Sequence, residues 1–250
     1  MQYSRKARHA IKSLSPRAHA RLEIIEAVEQ GEIANVSGLC SALEAGPVFF
    51  SYACLAGDGR TEELQESLGF LSSERKTKKV RDLIIEMRKT GCHSPLIVVI
   101  DDFEPCRAWQ WEKPQNEVTE WCRLLTATLP GAAFAGCDVQ FFLCSDLESG
   151  FVPRYEDVYP EVAGSQYEVL VHQNLRHIRR YPNKKRIGNE RESTVRKVAQ
   201  YAVQGLVLER IFPNGVLIQT ETPWSVKDPL YDSLRQNPLP IVHLFPDERR

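Results

Sequence analysis

The chain has 250 residues, 42% of them hydrophobic and 26% charged, which is typical of a folded globular protein and not of a disordered or fibrous one. It contains no apolar run near the roughly 18 residues that a membrane-spanning helix needs. Its seven cysteines form no CxxC pair and its N-terminus lacks the apolar stretch of a secretory signal. We therefore expect a reducing, cytoplasmic compartment and neither a disulfide scaffold nor a zinc ribbon.

The formal net charge of −1 conceals an uneven distribution of charge along the chain. Residues 1–21 carry six basic and no acidic side chains, residues 22–171 carry 12 basic and 25 acidic ones, and residues 172–200 carry nine basic and two acidic ones. The sequence thus describes an acidic body with two basic segments. Such asymmetry indicates a polyanionic partner.

The sequence predicts helices at the N-terminus and strands further along. Residues 17–45 have a helical pattern that is interrupted at Gly31 and Gly38. The segment "PVFFSYACL" (47–55) is short, rich in β-branched and aromatic residues and bounded by turn residues, which predicts a strand. The continuous apolar run "PLIVVI" (95–100) predicts a strand buried on both faces, as in a parallel sheet.

Helices and strands alternate along the rest of the chain. Helices are predicted over 61–90, 116–129, 155–180 and 191–212, and further strands over 138–144, 216–220 and 240–245. This alternation predicts an α/β fold with a mainly parallel sheet flanked by helices. Because no linker stands out, we predict one domain over 46–250, preceded by a helical N-terminal extension over 1–45.

Polar and acidic side chains gather at the ends of the predicted strands. They are Ser51 and Tyr52 at the first strand, Asp101, Asp102 and Glu104 after the second, Ser145, Asp146 and Glu148 after the third, and Gln219 and Glu221 after the fourth. Since ligands bind beyond the carboxyl ends of parallel strands, these side chains are candidates for a shared pocket. Any one of the carboxylates could equally cap a helix or bind loop amides.

Carboxylates that share a pocket repel one another unless a cation is bound. The cation could be Mg²⁺, which carboxylates and phosphates hold together. It could also be an ammonium or guanidinium group, bound through charge-assisted hydrogen bonds. Trp109 and Trp111 follow Glu104 in the same loop and favour the organic cation, because an indole face attracts guanidinium. The alternative role for both tryptophans is core packing.

The basic segment 172–200 is the second feature with functional potential. The basic side chains that we select from it are Arg176, Arg179, Arg180, Lys184, Lys185, Arg186, Arg196 and Lys197. Their spacing suits the backbone of a nucleic acid, whose phosphates Arg and Lys neutralise. The alternative is an ordinary solvated helix face. No RRM, KH, zinc-finger or helix-turn-helix pattern supports reading of a base sequence.

Several common catalytic motifs are missing from the sequence. There is no GxGxxG after a strand, no GxxxxGK[ST], no GxSxG and no HExxH, and the six histidines show no metal-ligand spacing. Dinucleotide redox chemistry, P-loop phosphoryl transfer and zinc hydrolysis are therefore disfavoured. We predict no resident cofactor and assign no residue as a metal ligand.

An acidic pocket beside a basic helical face suggests a cationic group carried on a polyanion, and arginyl-tRNA fits that description best. In its length, its order of elements, its segment 172–200 and "VLIQTETPW" followed by "LPIVHLF", the chain resembles the tRNA-dependent cyclodipeptide synthases, and among them the arginine-using group. The resemblance implies a Rossmann-like core related to class I aminoacyl-tRNA synthetases. It also implies an aminoacyltransferase that closes two aminoacyl groups from tRNA into a diketopiperazine.

The sequence departs from the better-known branch of that family at two motifs. That branch has a nucleophilic serine in a Gly/Ser/Asn-rich turn after the first strand, where this chain has "FFSYACLAG" with Ser51. It also has a Tyr-x-x-x-Glu helix motif, where this chain has Tyr201 followed by Gly205. Both departures disfavour a covalent acyl-serine intermediate. The synthetase motifs HIGH and KMSKS are missing too, which is consistent with a substrate that arrives already activated.

These features suggest roles for the candidate residues. A carboxylate whose pKa is raised by neighbouring acids could take a proton from an attacking amine, and Asp102, Glu104 or Glu221 could serve. We expect the other candidates to bind the substrate; they are Ser51, Tyr52, Asp101, Trp109, Trp111, Asp146 and Gln219. A Mg²⁺-dependent nucleotide or phosphate-ester enzyme, a non-catalytic RNA-binding protein and an isonitrile-type amino-acid-modifying enzyme are the alternatives.

Overall fold

A computed structural model of the chain describes residues 4–28, 33–54, 74–107, 110, 113–128, 134, 137–164, 167–179, 186–219 and 239–244. Its strands are β1 (Ile33–Ala34), β2 (Val48–Cys54), β3 (Leu96–Asp101), β4 (Val139–Leu143), β5 (Gly215–Gln219) and β6 (Ile241–His243). Its helices are α1 (Arg5–Lys12), α2 (Pro16–Ala27), α3 (Val36–Ala45), α4 (Glu74–Lys89), α5 (Glu104–Arg107), α6 (Gln115–Thr128), α7 (Cys144–Glu148), α8 (Tyr155–Ala163), α9 (Glu168–Ile178) and α10 (Glu190–Ile211).

The described strands form one sheet in the order β1-β6-β5-β2-β3-β4. Strands β2 to β6 pair in parallel, and β1 adds to β6 in the antiparallel direction at one edge. The chain starts the parallel sheet at β2, extends it on one side through β3 and β4, and then returns to extend the other side through β5 and β6. This is the doubly wound Rossmann order, in which strand order reverses between β2 and β5. The predicted fold class is confirmed.

Alternate side chains of the strands point into two hydrophobic cores, one on each face of the sheet. On one face, side chains such as Phe49, Val98 and Ile218 pack with α1, α2, α3, α4 and α6. On the other face, Phe50 and Val99 pack with α8, α9 and α10. Every residue of β3 is buried, as the apolar run "PLIVVI" predicts for a strand covered on both sides.

The N-terminal segment shares its core with the sheet. Leu22, Ile25, Leu39 and Leu43 are each exposed by 1% or less and belong to the same buried cluster as the strands. The segment contains the predicted helices and also β1, which is too short to leave a pattern in the sequence. The division into an extension over 1–45 and a domain over 46–250 stays a prediction, although no gap in packing marks it in the described residues.

Besides β1 and α1, which lies before the predicted helical segment 17–45, two further features of the fold differ from the sequence prediction. The helix predicted over 155–180 is two helices, α8 and α9, which are separated near Gly164. The short helices α5 and α7 follow β3 and β4 almost directly, and four or five residues are too few to show a helical period. Within the residues described, we find no helix that combines the length and apolarity needed to cross a bilayer.

Candidate functional site

Asp101 and Asp102 lie at the carboxyl end of strand β3, which runs between β2 and β4, and both are fully buried. The Oδ2 atom of Asp102 accepts a hydrogen bond from Thr119 Oγ1 at 2.7 Å, and its Oδ1 atom accepts one from the backbone N–H of Ser145 at 3.0 Å. The Oδ1 atom of Asp101 accepts from the backbone N–H of Phe103 at 3.2 Å. Asp102 therefore ties the end of β3 to α6 and α7.

Three elements bring polar side chains together beside these aspartates. The Nη1 atom of Arg107, at the end of α5, donates to Glu148 Oε2 of α7 at 2.9 Å. Gln200 of α10 donates from Nε2 to Glu148 Oε1 at 2.8 Å and accepts a hydrogen bond from Arg107 through its own Oε1. The side chain of Glu148 is 9% exposed and that of Arg107 is 18% exposed, so the ion pair is largely withdrawn from water.

Aromatic rings flank the guanidinium of this network. The Cζ atom of Arg107 lies 3.6 Å from the ring centroid of Phe103 and 4.4 Å from that of Tyr155. Both distances are within the range in which a ring face attracts a cation. The guanidinium is therefore fixed by its rings as well as by its hydrogen bonds.

The network borders a pocket of about 270 Å³ between the segments that follow β3 and β4. The lining residues are Phe103, Arg107, Ser145, Glu148, Ser149, Gly150, Phe151, Pro153, Arg154, Tyr155, Glu156 and Val203. This volume lies just below the ~300–1,000 Å³ that is common for small-ligand sites. The pocket lies beyond the carboxyl ends of β3 and β4, at the edge of the sheet where doubly wound folds bind ligands, but to one side of the strand-order reversal between β2 and β5.

The titration of Glu148 is shifted toward neutral pH. Burial raises its pKa to about 7, against the lowering effects of the Arg107 charge and of hydrogen bonds from Arg107 and Gln200, while the charge of Asp101 raises it further. A carboxylate that titrates near the working pH is suited to general base catalysis. Burial also raises the pKa of Tyr155 to about 12, so this phenol stays neutral beside the pocket.

Three other residues predicted to bind the substrate do not line the pocket. Asp146 is half exposed, and its Oδ1 atom pairs with Arg123 Nη2 at 2.9 Å. Gln219 ends β5 and is 3% exposed. Ser51 is buried inside β2, and its hydroxyl donates to the carbonyl oxygen of Ile218 at 2.9 Å.

Part of the predicted basic segment is neutralised by its own acids. Arg179 Nε lies 2.8 Å from Glu190 Oε2, and Arg186 Nη1 lies 3.8 Å from Glu190 Oε1. Arg196 Nη2 lies 2.8 Å from Glu192 Oε1. Lys197 is only 5% exposed, so its side chain lies inside the protein and not on a surface open to phosphates.

Several predicted site residues lie outside the described part of the chain and stay predictions. They are Trp109, Trp111, Arg180, Lys184, Lys185 and Glu221, together with the side chains of Tyr52, Glu104 and Arg176. Among the described residues, no three His, Cys, Asp or Glu side chains are close enough to hold a metal ion jointly.

The sequence places both Asp146 and Glu148 after the third predicted strand, which is β4, but a substrate-binding role is predicted for Asp146 only. The two residues are two positions apart on α7, and residues with this spacing do not share a helix face. Glu148 therefore turns inward when Asp146 turns outward. If a helix had been predicted directly after β4, it would have shown that Asp146 and Glu148 lie on different faces. No sequence pattern marks Arg107 or Gln200 as site residues.

No protein-family model and no curated protein matches the chain. Among solved structures, tyrosyl-tRNA synthetase from Pyrococcus horikoshii, complexed with L-tyrosine, matches with a TM-score of 0.55 and 14% identity over 90% of this chain. Cyclodipeptide synthase from Candidatus Glomeribacter gigasporarum, bound to Phe-tRNAPhe, matches with a TM-score of 0.52 and 14% identity. The match covers 80% of this chain and 88% of the synthase.

A third solved structure, the PvcA protein from Pseudomonas aeruginosa, matches with a TM-score of 0.51 and 11% identity over 96% of this chain and 82% of its own. The chain spans 59% of the Pyrococcus synthetase, so it matches only part of that enzyme. The resemblance to cyclodipeptide synthases is thus confirmed for the fold. The chain has a Rossmann-like fold similar to those of a cyclodipeptide synthase and of tyrosyl-tRNA synthetases.

Proposed function

We propose that this protein is an aminoacyltransferase that takes two aminoacyl groups from charged tRNAs and joins them into a cyclic dipeptide. The observation that carries the proposal is a small pocket beyond β3 and β4 on a fold similar to that of a cyclodipeptide synthase. The pocket is bordered by Glu148, a carboxylate whose pKa is raised to about 7. That similarity extends over 88% of the synthase, which was solved with Phe-tRNAPhe bound.

The chemistry of such a reaction is consistent with the groups present in the chain and with the absence of synthetase motifs from its sequence. An aminoacyl-tRNA is an activated ester, so joining two aminoacyl groups needs no ATP site and no HIGH or KMSKS motif. The reaction needs a place for the aminoacyl group, a proton acceptor for the amine and a surface for the tRNA. The pocket, Glu148 and the exposed cations of the 172–200 segment, such as Arg179, supply candidates for each.

We further propose arginine as one of the two amino acids. The sequence places Glu104, Trp109 and Trp111 close together along the chain, and this combination of acid and indole suits a guanidinium. The guanidinium of Arg107, which lies over the rings of Phe103 and Tyr155, is an internal example of such binding at the same edge of the sheet.

Purified protein incubated with total tRNA, the 20 amino acids, ATP and the matching synthetases tests the proposal. We expect cyclic dipeptides by mass spectrometry, and we expect them to disappear when ATP is omitted, because the tRNA then stays uncharged. Omission of arginyl-tRNA synthetase alone should remove the arginine-containing product. A complete pool that yields no cyclic dipeptide would overturn the function, and a product without arginine would overturn only the choice of amino acid.

A further inference from the structure

Arg107 and Glu148 form an ion pair at the border of the pocket, and both residues are accessible from its interior. Their Nη1 and Oε2 atoms are 2.9 Å apart, and both side chains line the cavity. Gln200 contacts both of them from α10, while the rings of Phe103 and Tyr155 fix the guanidinium. A donor and an acceptor are therefore held side by side, facing a space that a small group can enter.

We infer that Glu148 is the proton acceptor and Arg107 the oxyanion-stabilising donor of the aminoacyl transfer, an inference that rests on the proposed function. Removal of a proton from the amine and stabilisation of the developing oxyanion are the two demands of ester aminolysis. The two groups satisfy both demands within one pocket, and their mutual contact fixes their relative position.

The proton transfers in this step balance as follows. The ammonium of one aminoacyl group gives its first proton to the Glu148 carboxylate, which releases it to water. The neutral amine attacks the ester carbonyl carbon of the other group, and Arg107 donates to the carbonyl oxygen as that oxygen becomes negative. The C–N bond forms and the C–O bond to the tRNA ribose breaks. The second proton of the nitrogen passes through Glu148 to the departing ribose oxygen, which leaves as a hydroxyl.

The other described carboxylates at this edge are less suited to the role. Asp102 is fully buried, and its hydrogen bonds are to Thr119 and Ser145. Asp101 is also fully buried, and neither aspartate lines the pocket. Asp146 is half exposed and does not line the pocket. Glu148 combines access to the pocket with a buried environment.

The charged and titratable groups around Glu148 predict how activity depends on pH. Arg107 faces it from α5, Asp101 lies near it from β3, and Tyr155 of α8 lines the same pocket, as do Arg154 and Glu156. Since burial raises the pKa of Glu148 to about 7, its carboxylate is lost as pH falls through neutrality. We expect kcat/KM to fall about tenfold per pH unit below that pKa and to level off above it.

The first test compares Glu148→Gln with Glu120→Gln in the full-length protein. Glu120 is a matched control because it also lies near an arginine, Arg123, but is 66% exposed on α6 and lies away from the pocket. We expect Glu148→Gln to lower kcat/KM by about 10²–10⁴-fold, with tRNA binding by fluorescence anisotropy unchanged. Glu120→Gln should keep wild-type activity. Full activity of folded Glu148→Gln would overturn the inference.

The second test uses Gln200→Leu and remains informative even if Glu148→Gln fails to fold. Loss of the Gln200 hydrogen bond removes an interaction that lowers the pKa of Glu148, so the midpoint of the pH–rate profile should move upward. A purely structural effect would reduce the rate equally at every pH. An unmoved midpoint would overturn the assignment of Glu148.

A third variant, Arg107→Lys, tests the donor. It retains the charge but loses the planar fork, so kcat should fall more than KM rises; an equal kcat would overturn the role of Arg107.

These outcomes are separable from failure of the proposed function. If the wild-type protein makes no cyclic dipeptide, the function fails, whereas a wild-type product combined with unaffected variants removes only this inference.

Discussion

At the scale of single residues, Asp102 shows how a buried carboxylate can organise a site without lining it. It joins β3, α6 and α7 through two hydrogen bonds, one from the Thr119 hydroxyl and one from the backbone of Ser145. The backbone carbonyl of Asp102 also accepts from Gln115 Nε2 at 2.9 Å. Since α7 carries Glu148, the position of that side chain depends on Asp102.

We therefore predict that Asp102→Asn lowers stability. An asparagine has one oxygen acceptor, which the N–H of Ser145 requires, so its amide nitrogen must meet the Thr119 hydroxyl. The change weakens two charge-assisted hydrogen bonds and should lower the free energy of unfolding by about 1–3 kcal/mol. Urea denaturation measures this, with Thr119→Val as the variant that removes one bond only. Unchanged stability with abolished turnover would instead support the catalytic role that the sequence suggested for Asp102.

At the scale of elements, α10 is the longest helix that contributes to the site in the described residues, and its start is specified by local sequence. Gly188 has a φ of +68°, a conformation that costs little only for glycine, and it turns the chain into the helix. The side chain of Asn189 accepts a hydrogen bond from the N–H of Glu192 at 2.9 Å. This N-cap fixes the first turn of the helix that carries Gln200.

Removal of this N-cap gives the second prediction. Asn189→Ala leaves a backbone N–H of the first turn without its side-chain acceptor and should lower the free energy of unfolding by about 0.5–2 kcal/mol. Asn189→Asp keeps an acceptor and adds a negative charge near the helix N-terminus, so it should be neutral or slightly stabilising. Thermal and urea denaturation of both variants measure the effect. Equal stability of the alanine and aspartate variants would contradict the capping role.

The exposed ion pairs around α10 give the third prediction. Arg179 is 64% exposed and is held by Glu190, whose pKa is lowered by that hydrogen bond and by the charges of Arg179 and Arg186. If this face binds tRNA, Glu190→Gln removes a negative charge beside both arginines and should tighten binding. Arg179→Ala should weaken it and reduce the slope of log K against log salt by about 1.

Fluorescence anisotropy with tRNA at several salt concentrations measures both changes. Arg123→Ala is the matched control, because Arg123 is also exposed and paired with a carboxylate but lies on α6, away from residues 172–200. If Arg123→Ala and Arg179→Ala weaken binding equally, the 172–200 face has no special part in it.

The elements also explain why the sequence predicted the fold better than the site. The apolar run of β3 is local, so its burial can be predicted from the letters alone. The break near Gly164 interrupts a helical pattern that continues on both sides of it. Arg107 and Gln200 are 93 residues apart and meet only because the sheet and α10 bring them together. No periodic pattern in the sequence predicts that contact.

At the scale of the whole molecule, the sheet and the N-terminal helices form one packed unit in the described residues. Helix α2 is further tied to α3 through buried Arg21, whose Nη1 atom donates to the carbonyl oxygen of Leu43 at 2.6 Å. Arg17 of α2 donates to the backbone carbonyls of Thr90 and Gly91, each at 2.9 Å, after α4. These bonds connect the start of the chain to the turn that leads into β3.

We therefore predict that removal of residues 1–45 destroys cooperative folding of the remainder. The deletion uncovers the face of the sheet that carries Phe49 and Val98, because Leu22 and Leu39 cover it from α2 and α3. Near-UV circular dichroism and urea denaturation should show loss of fixed tertiary packing, with binding of a hydrophobic dye. In the full-length chain, Leu39→Ala should lower stability by about 2–5 kcal/mol through the same core. A truncated protein that unfolds cooperatively at the full-length midpoint would instead support an independent domain over 46–250.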